Sequence, residues 1–272
     1  MAEKAIGIFD SGLGGLTAVR RIEKLLPGQP IVFFGDTGRL PYGGRSKDTI
    51  VRYATQDLNF LKTFDLKLIV AACGTVSTMA LDDIKKTCDI PVLGVVEPSV
   101  KQAVSATKTK RIGVIGTVGT ISSGAYERHI TNLMSDAKVF SKACPLFVPL
   151  VENGHYRSDD SVVMAIVEEY LAPLKENNID TLILGCTHYP LLRQAIEKFF
   201  GPEVTLIDSG AACANEIAET LAAMGITPES NSEGGCRFFV SDRTGDFASL
   251  ASIFLGRAVD DKDVGLVDIY SY

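Results

Sequence analysis

Residues 181–190 read TLILGCTHYP: an apolar run ending on a glycine, then a thiol, a hydroxyl and an imidazole. The length of the run and its apolar, partly β-branched character suit a buried strand. The chain has three histidines in all, and one stands two residues after a cysteine where that strand should end. In an open α/β sheet, the space beyond the carboxyl end of a strand is where ligands bind.

The same pattern recurs along the chain. Short apolar runs lie at 4–10 (KAIGIFD), 30–36 (PIVFFGD), 66–73 (LKLIVAAC), 90–96 (IPVLGVV), 111–117 (RIGVIGT), 181–186 (TLILGC), 204–210 (VTLIDSG), 236–241 (CRFFVS) and 264–270 (VGLVDIY). Stretches of helical length separate most of them. In SVVMAIVEEYL (161–171), residues Val163, Ile166, Val167, Tyr170 and Leu171 form an i, i+3, i+4, i+7, i+8 stripe. Strands alternating with helices predict an α/β fold of mainly parallel sheets with covered faces. A weak repeat is also visible. IGIFDSGLGG (6–15) pairs with IGVIGTVGT (112–120), and the stretch after 68 (LIVAACGT) pairs with that after 182 (LILGCTHY), at similar offsets. The repeat predicts two related α/β units, each with a strand–Cys–Thr–helix element. No low-complexity linker divides them, so the chain is free to cross between units more than once.

Composition bounds the function. At 272 residues, 46% hydrophobic and 22% charged, the chain supports a substantial core. A net charge of −6 without basic runs argues against nucleic acid. The absence of a long apolar stretch argues against a membrane span. Six cysteines without a C-x-x-C pair suit free thiols of a reducing cytoplasm.

Cys73 and Cys186 each follow an apolar strand and precede small or hydroxyl residues, Gly74, Thr75 and Ser77 in one case and Thr187 in the other. Free N–H groups and a helix dipole there are expected to favour thiolate. One such cysteine is commonly structural, whereas two in matched positions point to chemistry. Cys88, Cys144, Cys213 and Cys236 lack that setting. His188 reads either as a solvent-facing residue at a helix start or as a proton partner for Cys186. Cys73, Cys186 and His188 have no regular metal-ligand spacing, so no metal is expected. Asp10 and Ser11 end the first strand before a glycine turn, FDSGLGG, that suits either an anion-holding loop or a helix cap. It lacks the G-x-G-x-x-G of a dinucleotide site. The loop GDTGRLPYGGRS (35–46) brings Pro41, Tyr42 and Gly43 as a site wall or a surface turn. Glu152 acquires meaning only in context.

In combination, IGIFDSGLGGLT, GDTGRLPYG, AACGT, IGVIGT, ACPLFVPLVE and LILGCTHYP, in that order, resemble the glutamate racemase family of cofactor-independent amino-acid racemases. The resemblance runs along nearly the whole chain. It implies two pseudo-symmetric three-layer α/β domains with the active site in the cleft between them. The expected spans are 1–97 with 208–272 for the first and 98–207 for the second. It further implies that Cys73 and Cys186 are the two acid/bases, with Asp10 assisting near Cys73, His188 near Cys186, and Glu152 a supporting carboxylate. Asp10, Ser11, Pro41, Tyr42, Gly43, Gly74, Thr75, Thr187 and His188 would hold the substrate, glutamate. The implied product is D-glutamate for bacterial peptidoglycan, made in the cytoplasm without a cofactor, by a chain that can form a homodimer. The chain starts shortly before its first strand, which leads to the expectation of no activation by a cell-wall precursor. One departure stands out: the family usually has Asn after the first cysteine, and this chain has Gly74. The alternatives are racemisation of aspartate or another acidic amino acid, acyl transfer by Cys186 with His188, and an amino-acid-binding protein that has lost turnover.

Overall fold

Each of the nine apolar runs carries a strand, and a tenth strand lies where no such run exists. The computed structural model describes residues 3–226, 234–243 and 247–272. Its strands are β1 (Ala5–Asp10), β2 (Ile31–Gly35), β3 (Leu66–Ala71), β4 (Val92–Gly94), β5 (Arg111–Gly116), β6 (Lys138–Ala143), β7 (Thr181–Leu184), β8 (Thr205–Asp208), β9 (Cys236–Val240) and β10 (Val264–Leu266). Among the described residues they form two sheets, β10-β9-β2-β1-β3-β4 and β6-β5-β7-β8. Every pairing is parallel.

The repeat seen in the sequence is the order of the strands. β2-β1-β3-β4 in one sheet corresponds to β6-β5-β7-β8 in the other. The matched runs at 6 and 112 are therefore the central strands β1 and β5, and those at 68 and 182 are β3 and β7. The first sheet is extended by β9 and β10. Of the spans expected for the two domains, residues 1–2, 227–233 and 244–246 lie outside the described residues.

Burial explains what the runs revealed and what they missed. All six residues of β1 and of β3 are buried, so alternate side chains face apolar helices on both sides of the sheet. β6 is an edge strand with no fully buried residue; Lys138 and Ser141 are exposed and Lys142 is half-buried. An edge strand needs no apolar run, and charge on it discourages further pairing. At the other end, VGLVDIY yields a strand only over its first three residues before a short turn of 3₁₀-helix at Ile269–Ser271.

The two sheets share a core. One apolar cluster contains Ile8 and Val70 from the first sheet with Ile115 and Leu184 from the second. The helices Leu16–Leu25 and Ser209–Ala223 pack together between them. Asp208 fastens this junction. Its Oδ1 accepts the N–H groups of Gly210 (3.0 Å) and Ala211 (3.1 Å), capping the second helix, and its Oδ2 takes Arg21 Nη2 at 2.8 Å from the first. No helix among the described residues is long and apolar enough to cross a membrane.

Asp208→Ala removes a cap and leaves Arg21 without its carboxylate. We expect a loss of about 2 kcal/mol in unfolding free energy, read by urea denaturation; a change below about 0.5 kcal/mol would contradict this role.

Candidate active site

Parallel pairing places the carboxyl ends of all strands of a sheet on one side, and the two sheets turn those ends toward each other. Between them is a cavity of about 40 Å³. The first sheet contributes Ser11 and Gly12 after β1, Leu40, Pro41, Tyr42 and Gly43 after β2, and Cys73, Gly74 and Thr75 after β3. The second contributes Thr117 after β5, Val148 and Glu152 after β6, and Gly185, Cys186, Thr187 and His188 after β7. Every residue that the resemblance assigned to the site thus lines one cavity except Asp10, which is fully buried behind it. Gly12, Leu40, Thr117, Val148 and Gly185 were not expected. The repeat contained a signal for Thr117, which follows β5 as Ser11 follows β1.

Cys73 and Cys186 are 6% and 8% exposed, so each reaches the cavity from an otherwise closed wall. Cys73 caps the short helix Gly74–Met79 and its Sγ lies 3.5 Å from Ser11 Oγ. Cys186 stands beside a chain of polar groups. His188 Nδ1 lies 3.9 Å from its sulfur, and His188 Nε2 lies 3.1 Å from Glu152 Oε1. A hydrogen on Nε2 donates to the Glu152 carboxylate, and Nδ1 is the ring atom turned toward the thiol. Phe254 packs edge-on against the imidazole at a centroid distance of 5.0 Å and holds its plane. No sequence signal marked Phe254, which comes from the helix Phe247–Leu255 near the far end of the chain.

The glycine-rich loop has a different use from an anion cradle. The N–H groups of Gly12 and Gly15 point at Asp10 Oδ2, at 3.3 and 3.0 Å, and fasten the turn into the following helix. A Cβ on Gly14 would lie 2.3 Å from Thr187 Oγ1 and 2.5 Å from His188 Nδ1, so the missing side chain makes room for the histidine. Asp10 Oδ1 is buried with no hydrogen-bond partner. Burial pushes the Asp10 carboxyl up to about 6, against the opposing pull of His188 and the loop N–H groups.

The expected thiolates are a correction. Burial pushes the Cys73 thiol up to about 11 and the nearby Asp10 adds to this, outweighing Ser11 and the N–H groups of Val76 and Thr75. Burial raises Cys186 further, opposed chiefly by the N–H of His188, with the charges of Cys73, Asp10 and Glu152 adding to the rise. Two physical reasons account for the difference. The helix behind Cys73 has only six residues. Cys186 is followed by the 3₁₀ turn Tyr189–Leu192, and the α-helix begins only at Arg193. Removal from water therefore exceeds what the backbone dipoles return.

Tyr42 lines the cavity while its hydroxyl is engaged elsewhere. It donates to the Asp36 carboxylate and lies 3.1 Å from Asp57 Oδ2. Arg39 joins the same buried cluster, its Nε 2.6 Å from Asp36 Oδ2 and its Nη2 2.9 Å from Asp57 Oδ1. Ser241 donates to Asp36 Oδ1 at 2.7 Å. The cluster pins the loop 36–43 from behind, leaving Tyr42 its backbone and ring for the cavity. Gly43 O accepts the N–H of Gly119 at 2.8 Å, and Thr75 and Thr117 share a hydrogen bond of 3.0 Å. Both join the two sides across the cleft. Among the described residues no three His, Cys, Asp or Glu side chains cluster as a metal site.

Residues 14–217 match the Asp/Glu/Hydantoin racemase family. The chain belongs to that family. A glutamate racemase of Chlorobaculum tepidum is 46% identical over 264 residues, 97% of this chain and 96% of that protein. Among solved structures, a glutamate racemase isoform from Bacillus anthracis aligns with a TM-score of 0.92 at 40% identity, covering 98% of both chains. The glutamate racemase of Francisella tularensis, solved in complex with D-glutamate, aligns at 0.90 and 34% identity over 99% of both. Both alignments take in the two sheets described above.

Asp10 supplies a pH-dependent prediction. Its folded value of about 6 exceeds the ordinary 3.8, so its contribution to stability is complete below 3.8 and lost as pH rises through 6. Asp10→Asn keeps an oxygen for the loop N–H groups and carries no charge. Between about pH 3.5 and about pH 8, we expect its unfolding free energy to move about 3 kcal/mol in its favour relative to the native protein. Urea denaturation at both pH values measures this, and a pH-independent difference would refute it.

Proposed function

We infer that the protein interconverts L- and D-glutamate by proton transfer at the α-carbon, with Cys73 and Cys186 as the two acid/bases. One observation carries the reading: the two thiols come from matched strand ends of two matched sheets and line the same cavity. Inverting a stereocentre without a cofactor needs a base on one face and an acid on the other. One thiolate removes the α-hydrogen as the opposite thiol delivers its own, and the roles exchange with the hand of the substrate. The electrostatics support this division of labour. Each thiol resists ionisation, and charge on Cys73 raises Cys186, so the pair favours one thiolate at a time. A bound substrate ammonium group would supply the positive charge that a buried thiolate lacks.

Asp10 would assist at Cys73, and the Glu152–His188 pair at Cys186, where Nδ1 can take and return the thiol proton. Ser11, Thr75 and Thr187, with the backbone at Pro41, Tyr42, Gly43 and Gly74, would hold the carboxylates and steady developing charge. We take 1–97 with 208–272 and 98–207 as the two domains whose loops meet at this site. We place the reaction in the bacterial cytoplasm, where D-glutamate feeds peptidoglycan, with each cleft working alone or in a homodimer. Acyl transfer would need only Cys186 and His188 and leaves Cys73 without a task. The relatives named for glutamate favour that substrate over aspartate.

The test is incubation with L-glutamate in D₂O without pyridoxal phosphate, following circular dichroism and α-deuteration. Loss of optical activity with deuteration, abolished in Cys73→Ser and in Cys186→Ser, is the expected result. Exchange with aspartate alone would move the substrate, and no exchange with either would leave a binding protein. Glu152→Gln removes the acceptor for His188 Nε2. It should lower kcat/KM on the order of tenfold or more, and equally in both directions, because the enantiomers have equal free energy in water. Unchanged kcat/KM would remove Glu152 from the relay.

A further inference from the structure

Three glycines of the first sheet face the second across the cleft, one after each of β1, β2 and β3. A Cβ on Gly14 would meet the Thr187 and His188 side chains, and one on Gly43 would meet the Thr117 side chain at 2.7 Å. Gly74 differs, because a Cβ there would lie 2.2 Å from the backbone oxygen of Gly185. Both segments are tied to their own sheets. Gly185 donates its N–H to Ile115 O at 2.8 Å, and the space behind it is filled by that oxygen and by the Tyr126 ring. Gly74 opens a helix whose strand is tied to β1 through Ala72 N–H and Phe9 O at 2.9 Å. An added Cβ would press these two backbones apart.

Cys73 precedes Gly74 and Cys186 follows Gly185, so one peptide unit on each side links this contact to a thiol. We propose that the Gly74–Gly185 backbone contact is the stop that sets how far the cleft closes, and thereby the spacing of the two thiols. The proposal rests on the two-thiol reading above. A Cβ added at Gly74 would lie 2.2 Å from the Gly185 oxygen and needs at least 3.0 Å, so the two backbones must move apart by roughly 1 Å, and a misplacement of that size costs on the order of 10²-fold in rate. Gly74 is therefore a positioning residue in this chain, and replacing it with the family's usual asparagine should slow the enzyme.

The experiment compares Gly74→Ala, Gly74→Asn and Gly119→Ala with the native protein, and uses Gly235→Ala, which has open space around it, as the control. Gly119 is a milder wedge in the same cleft, its Cβ meeting Gly43 O at 3.1 Å. Two quantities are read: kcat and KM for glutamate, and the iodoacetamide rates of Cys73 and Cys186 in the free protein. Parting the cleft exposes the thiols, so the expected order is the same for both. Gly74 variants lose on the order of 10²-fold in kcat with a smaller change in KM, and both their thiols alkylate faster. Gly119→Ala is intermediate, and Gly235→Ala matches the native protein. Native kcat with native alkylation rates in Gly74→Ala would overturn the proposal. Should that variant fail to fold, the same native values in Gly119→Ala would do so. Absence of racemisation by the native protein, with the order of alkylation rates preserved, would sink the functional reading and uphold the stop.

Discussion

The structure depends on parallel strand pairing in two sheets whose carboxyl ends converge. In a parallel sheet every strand ends on the same side, so loops far apart in sequence are brought to one edge. Two such sheets with corresponding strand order bring together the ends of β1, β2 and β3 with those of β5, β6 and β7. The shared core beneath them and the Asp208–Arg21 junction keep that convergence in register. Each thiol needs only a short peptide step from its strand to reach the cavity.

Burial then determines the chemistry of what has converged. In water a thiol beside a helix start would lean toward thiolate. Here desolvation outweighs the backbone dipoles for both cysteines, and it lifts Asp10 in the same way. A site that resists charge on its own becomes responsive to the charge of a substrate. The cavity is also small: about 40 Å³ holds a few water molecules rather than an amino acid.

Much of this was legible because buried parallel strands need continuous apolar runs, and nine of the ten strands among the described residues have one. β6 escaped notice because an edge strand can be half exposed and charged. Cys73 and Cys186 were legible through their matched places after β3 and β7, and Thr117 could have been found by the same comparison. Phe254 could not, since its meeting with His188 depends on a helix folding back from the end of the chain. The tyrosine of GDTGRLPYG was legible as part of the wall, but not the direction of its hydroxyl. That direction follows from a carboxylate pair and an arginine buried behind the loop.

The sequence by itself determined the α/β class, the internal repeat and most of the residues that meet in the cleft, because apolar period and strand-end chemistry are local properties of the chain. Only the tertiary structure decided how burial acts on the thiols, the use of Tyr42 and of the glycine loop, and the close approach of Gly74 to Gly185. Those depend on how much water is excluded and on which backbone atoms face each other. Distances and burial between segments more than a hundred residues apart are set by packing and not by any stretch read alone.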